Sequence, residues 1–253
     1  MTLRPLLSAR EPSDFADWFR AGTEYTLRVA RTLDWPVGDL PAHRDRGVAA
    51  MRADDTDPDP AVAATIAGTL LGDAAFGRPF LRYTPRWYRL ALAGPIRLAE
   101  RRLAAVAAPY ADRAREAGYT VERPTFTTPG EIVVDGTPLS ATLDELGFAE
   151  RFLLADAILH VEWLRDVAAI CGLSVPTDLL ARTIRESAVH YGRRGDDPDA
   201  ALSPETRRVQ RALFGDDAWV RDVNVTYRLQ STLLSVWEAI LRRERRRLAT
   251  ASE

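Results

Sequence analysis

The chain has 253 residues, 46% hydrophobic, 28% charged and 8% aromatic, with a net charge of −2. Such a composition can fill a large core, which excludes the disordered class, and it offers no global field to recruit nucleic acid or an anionic membrane. All 34 basic residues are arginine, the habit of a GC-rich bacterial genome. A Schiff-base lysine, a phosphate-loop lysine and a lysine general base are therefore excluded.

Helix signals dominate from the start. The first ten residues, "MTLRPLLSAR", lack the charged-then-apolar pattern of a signal peptide. Ser13 opens an apolar-periodic run to about Leu33, with Phe15, Trp18, Phe19, Val29 and Leu33 on one face. His43 follows, with Asp39 four residues before it and Pro41 between them, and this stretch reads as loop. "DTDPDP" is a proline-punctuated acidic loop, and Asp59-Pro60 is a helix start. The helix from Pro60 to about Phe76 is rich in Ala, Gly and Thr, suited to close packing. Its uncharged run, residues 60–72, is short of the about 20 residues that a bilayer crossing needs. A long helical region from Pro85 to about Ala117 should kink or break near Pro95 and Pro109.

Mid-chain, residues 119–139 give the strand-like segment. Two β-branched runs flank "TTPG", and Asp135-Gly136 is a hairpin signal, so a small β ribbon is expected between helical halves at about 12–118 and 141–249. Thr142 and Glu145 form a capping box for a helix to Gly172. Thr177 caps the next, to about Gly192. Ser203-Pro204 starts a short helix closed by Gly215, and a last helix runs from about 216 to 248. The expectation is a mainly α chain: one helical domain over 1–253, about eight helices and the ribbon. Cys171, the single cysteine, excludes a disulfide framework and reads as a core thiol.

Chemistry concentrates in "LLADAILHVEW" (153–163). At 100° per residue, Asp156 and His160 fall within the arc of Leu146, Phe152, Leu153, Leu159, Trp163, Leu164, Val167 and Ile170. Glu150, Arg151, Glu162 and Arg165 make the opposite, wetter side. One turn apart on the core face, Asp156 and His160 must be satisfied by something. They are either a structural hydrogen-bonded couple or a site, as an acid–base pair or as metal ligands. Glu186 and His190 repeat the carboxylate-x-x-x-His spacing on the next helix, Glu186 tending towards its wet face. If the two helices pack antiparallel, Asp156, His160, Glu186 and His190 could converge on iron or zinc. On the last helix Gln230 shares the face of Trp219 and Trp237, and Gln230, Trp163 and Trp237 are candidate substrate contacts.

Several chemistries are set aside. Residues 52–60, "RADDTDPDP", resemble the aspartate-rich motif of terpene synthases superficially, but prolines break the helix that motif requires. The ferritin-like Glu-x-x-His pattern, GxGxxG after a strand, GxxxxGK[ST], HExxH and GxSxG are absent. The expected function is a cytoplasmic enzyme acting on an apolar or aromatic small molecule, with iron-dependent oxidation preferred. The iron is non-haem, on a 2-His-1-carboxylate set, or haem, with His160 or His190 axial. Neither nucleic acid nor membrane is an expected partner, and a homodimer is compatible. The competing class is a non-catalytic ligand- or partner-binding helical protein.

Overall fold

The computed structural model describes residues 11–82, 86–126, 133–134, 137–138, 148–192 and 202–214. They are mainly helical. A 3-10 turn, Pro12–Phe15, leads into α1 (Ala16–Thr32), followed by α2 (Leu40–Arg52), α3 (Pro60–Arg82), α4 (Arg86–Glu116), α5 (Phe148–Ile170), α6 (Thr177–Gly192) and α7 (Pro204–Phe214). The expected last helix, about 216 to 248, lies outside the described residues, as does the Thr142–Glu145 capping box.

Local chemistry explains the ends. Asp59 Oδ1 accepts the Ala61 and Val62 amides at 3.0 and 3.4 Å, capping α3 just before its proline. Ser203 Oγ does the same for Thr206 at the start of α7, at 3.2 Å. Gly172, at φ +76°, terminates α5. Leu173 N–H reaches Ala168 O at 2.8 Å and Gly172 N–H reaches Ala169 O at 3.1 Å, the two bonds of a Schellman end. Asp34 and Asp54 serve α1 and α2 in the same way at φ 57° and 51°, a role that aspartate tolerates better than most side chains.

Three expectations are corrected. His43 is helical, because Pro41 occupies the first turn of α2, where a missing N–H costs nothing. The long region is not broken at its prolines: Arg86–Glu116 is one helix carrying Pro95 and Pro109 inside it. The ribbon is not seen over its expected length: residues 119–126 form no strand. Around the Asp135-Gly136 signal, itself outside the described residues, Val133 and Val134 pair antiparallel with Pro138 and Thr137.

Helix α3 is the hub, packing along α4 and against α1, α2 and α5, while α5 also packs on α6 and α7. Nearly all the buried apolar residues of these helices, from Phe15 to Leu213, join one cluster. Among the described residues, the segment Pro60–Gly77 of α3 has the length and apolarity of a membrane crossing, but 83% of it is buried in the protein. Two glycines permit close approaches that bear on the polar residues of these helices. A Cβ at Gly72 would strike Val167 of α5 and sit 3.0 Å from Trp163 Nε1. One at Gly22 would meet Thr69 Cγ2 at 2.8 Å, so α1 also lies tight against α3.

Candidate functional site

Those close approaches bring indoles from two helices onto one carboxylate of a third. Asp73, on α3, is 8% exposed. Trp18 Nε1 of α1 donates to its Oδ2 at 2.6 Å, and Trp163 Nε1 of α5 donates to its Oδ1 at 3.0 Å. His160, one turn before Trp163 and buried, lies close enough to act on Asp73 electrostatically. Aromatic rings wall the cluster. Phe76 lies 4.9 Å from His160 between centroids, Tyr25 lies 6.3 Å from His160 and 5.6 Å from Trp163, and Phe126 meets Phe76 edge-on at 6.0 Å.

Electrostatics set the protonation of this cluster. Burial pushes the Asp73 carboxyl up from 3.8 to about 7, against the opposing pull of the two indole hydrogen bonds and of His160. A carboxyl so placed shares its proton near neutral pH, which is the working range of a general acid or base. Burial likewise pushes the Cys171 thiol up to about 12, so this cysteine is a core thiol and not a nucleophile.

The expected residues fare differently. His160 and Trp163 are buried together as expected, and Trp163 spends its N–H on Asp73. Asp156 lies on α5 one turn before His160, and His190 lies on α6; their side chains are outside the described residues. Gln230 and Trp237 are outside them altogether. Glu186 turns to the start of α7, where the Ser203 amide donates to its Oε2 at 2.8 Å. Burial alone would raise the Glu186 pKa, but the nearby Thr206 hydroxyl, the hydrogen-bonded Ser203 and the charge of Arg182 bring it below the ordinary value. That carboxylate is engaged as a helix-end cap. Among the described residues, no group of three or more His, Cys, Asp or Glu side chains is arranged to hold a metal ion.

One placement on α5 is corrected. Glu162 is fully buried, as are Ile158, Leu159, Val161 and Leu164 around it. A helical wheel assumes one solvent face, whereas α5 is packed by α3, α6 and α7 and has no wet side there. Asp73 was missed outright, although its signal resembles that of Asp156: a lone carboxylate in "LLGDAAF", at helical spacing from Ile66, Leu70 and Phe76 on the core face.

The chain belongs to the family described as a domain of unknown function (DUF8116), which matches residues 1–253. No curated protein and no solved structure matches it.

Proposed function

We propose that the protein is an enzyme acting on a small apolar or aromatic molecule, with Asp73 and His160 as its proton-handling pair. The observation that carries this reading is a buried carboxyl on α3, held by two indoles, within electrostatic reach of a buried imidazole on α5 that packs on Phe76. Asp73 supplies a proton, or accepts one, near neutral pH. His160 is the partner that balances its charge. Trp18 and Trp163 hold the carboxyl still. In this reading the protein is a single cytoplasmic domain with neither nucleic acid nor membrane as partner; its balanced charge and the burial of its most apolar helix support that.

Iron-dependent oxidation is the second reading, favoured by the direct packing of α5 on α6, the helices that carry the two carboxylate-x-x-x-His pairs. With Glu186 given to the α7 cap, the ligands would be His160, Asp156 and His190. A haem variant would use one of the two histidines. Iron would supply dioxygen chemistry; the aromatic wall would hold the substrate.

One experiment separates these readings from a structural polar core. Metal content, the ultraviolet–visible spectrum and oxygen uptake with a panel of aromatic substrates are measured on the wild type, Asp73→Asn and His160→Gln, each beside its melting temperature. Loss of turnover in folded variants supports a site at this cluster. Iron in the wild type that His160→Gln loses supports the second reading. Variants that melt earlier yet keep full activity per folded molecule overturn both, and leave Asp73 and His160 as packing residues.

A further inference from the structure

A cluster this deeply buried raises the question of access. His160, Trp163 and Asp73 are 2, 4 and 8% exposed, so a molecule reaches them only if a wall moves. Among the described residues, the helical walls are α1, α3 and α5, each held by its own hydrogen-bond ladder and by close interhelical packing. The irregular segment after α4, residues 119–126, is a further described neighbour, reaching the cluster through Phe126 and Phe76. It is neither helix nor strand, and among the described residues discrete side-chain contacts tie it to α3 and α4.

Those contacts are placed where a gate would need them. Arg115 Nε of α4 donates to Val121 O at 3.0 Å, which fixes the near end. Arg123 donates to Ala74 O of α3 at 3.0 Å and forms an ion pair with Glu100 of α4. At the far end Phe126, 5% exposed, packs edge-on against Phe76, the ring that touches His160.

We propose that Val121–Phe126 is a strap gating access to the His160–Asp73 cluster, latched by Arg123–Glu100 and plugged by Phe126. The inference rests on the reading of that cluster as a site. The ion pair is lopsided: Glu100 is 4% exposed, whereas the Arg123 side chain is 42% exposed. Lifting the strap breaks this ion pair at a carboxylate that is almost wholly buried, which holds the gate shut. Because the arginine reaches solvent, the latch is also partly screened by salt.

Diethyl pyrocarbonate tests this without knowledge of the substrate, since it carbethoxylates exposed neutral imidazoles and peptide mass spectrometry resolves each histidine. His43, half-buried on α2, is the internal control. In the wild type His160 labels far more slowly than His43. Arg123→Ala speeds His160 labelling about tenfold while leaving His43 unchanged, as expected when loss of a latch favours a local opening. Phe126→Ala, which keeps the latch, does the same to a smaller extent and serves if Arg123→Ala does not fold. Raised ionic strength speeds labelling of the wild type and not of Arg123→Ala. Folded variants whose His160 stays at the wild-type rate overturn the gate, as does a parallel rise at His43, which would mean general loosening. Labelling reports access alone. An open strap with turnover insensitive to His160→Gln would therefore sink the site reading and leave the gate standing.

Discussion

Asp73 and Glu186 are both carboxylates that accept hydrogen bonds from a neighbouring helix, yet their proton affinities move in opposite directions. Asp73 is enclosed, and its donors are two neutral indoles. They satisfy its oxygens without repaying the loss of water, so the carboxyl climbs to about 7. Glu186 is half-buried, and its donors include a backbone amide at the start of α7, where the helix dipole also favours negative charge. Arg182 adds an opposite charge, and the carboxylate becomes easier to ionise. Satisfying a carboxylate and ionising it are thus separate achievements. Geometry delivers the first; the second depends on how desolvation balances against those hydrogen bonds and the nearby charge.

The sharpest way to break this contrast is a pH series. A group whose folded pKa is raised holds its proton more tightly in the native state, so its stabilisation is complete at low pH. That stabilisation is lost as pH rises from the unfolded value towards the folded one. For Asp73 the window runs from 3.8 to about 7. At about 1.36 kcal/mol per pKa unit, the wild type should lose on the order of 4 kcal/mol there relative to Asp73→Asn. Urea unfolding of both proteins at stepped pH measures it, and parallel curves would show that Asp73 titrates normally. Glu186 has the opposite sign: its contribution is present above its unfolded pKa and fades as pH falls through the lowered one.

Next in size is Asp73→Ala. Removing the acceptor leaves two buried indole N–H groups without it and opens a small cavity, at a cost of about 3 kcal/mol. Equilibrium denaturation gives the value, and a cost below about 1 kcal/mol would mean that the indoles find other acceptors. Gly72→Ala probes how closely α3 and α5 must approach. Its new Cβ meets Val167 and Trp163, so a loss of about 2 kcal/mol is expected from overpacking. A more telling readout is Trp163 fluorescence, in a background where the other tryptophans are Phe, because the indole should be pushed from Asp73. The smallest effect belongs to Glu186→Ala, about 1 kcal/mol for a lost helix-end contact. Amide exchange should quicken at Ser203 and Thr206 and not in α3.

Much of the fold was legible one helix at a time. Asp59-Pro60, Ser203-Pro204 and Gly172 mark helix ends through local chemistry, and the apolar face of α1 is buried as its spacing predicts. His43 shows that even a local rule needs its position: Pro41 forbids a helix interior but suits a first turn. For the site, periodicity pointed inward at His160 and Trp163, which are both buried.

Pairing is where the sequence alone stopped. Nothing in "LLGDAAF" says that Trp18, 55 residues away, and Trp163, 90 residues away, donate to the same carboxylate. That depends on Gly22 and Gly72 letting two helices close onto α3 at one level, a property of the packed assembly. Glu162 carries the same lesson, since a wheel counts the faces of one helix and cannot count its neighbours. Sequence by itself determined where most of the described helices lie and which apolar side chains they bury, because those follow from propensity, caps and a 3.6-residue period. Tertiary structure decided which polar groups meet, and so which of them hold a proton near neutral pH, because desolvation and long-range contacts exist only once the helices have packed.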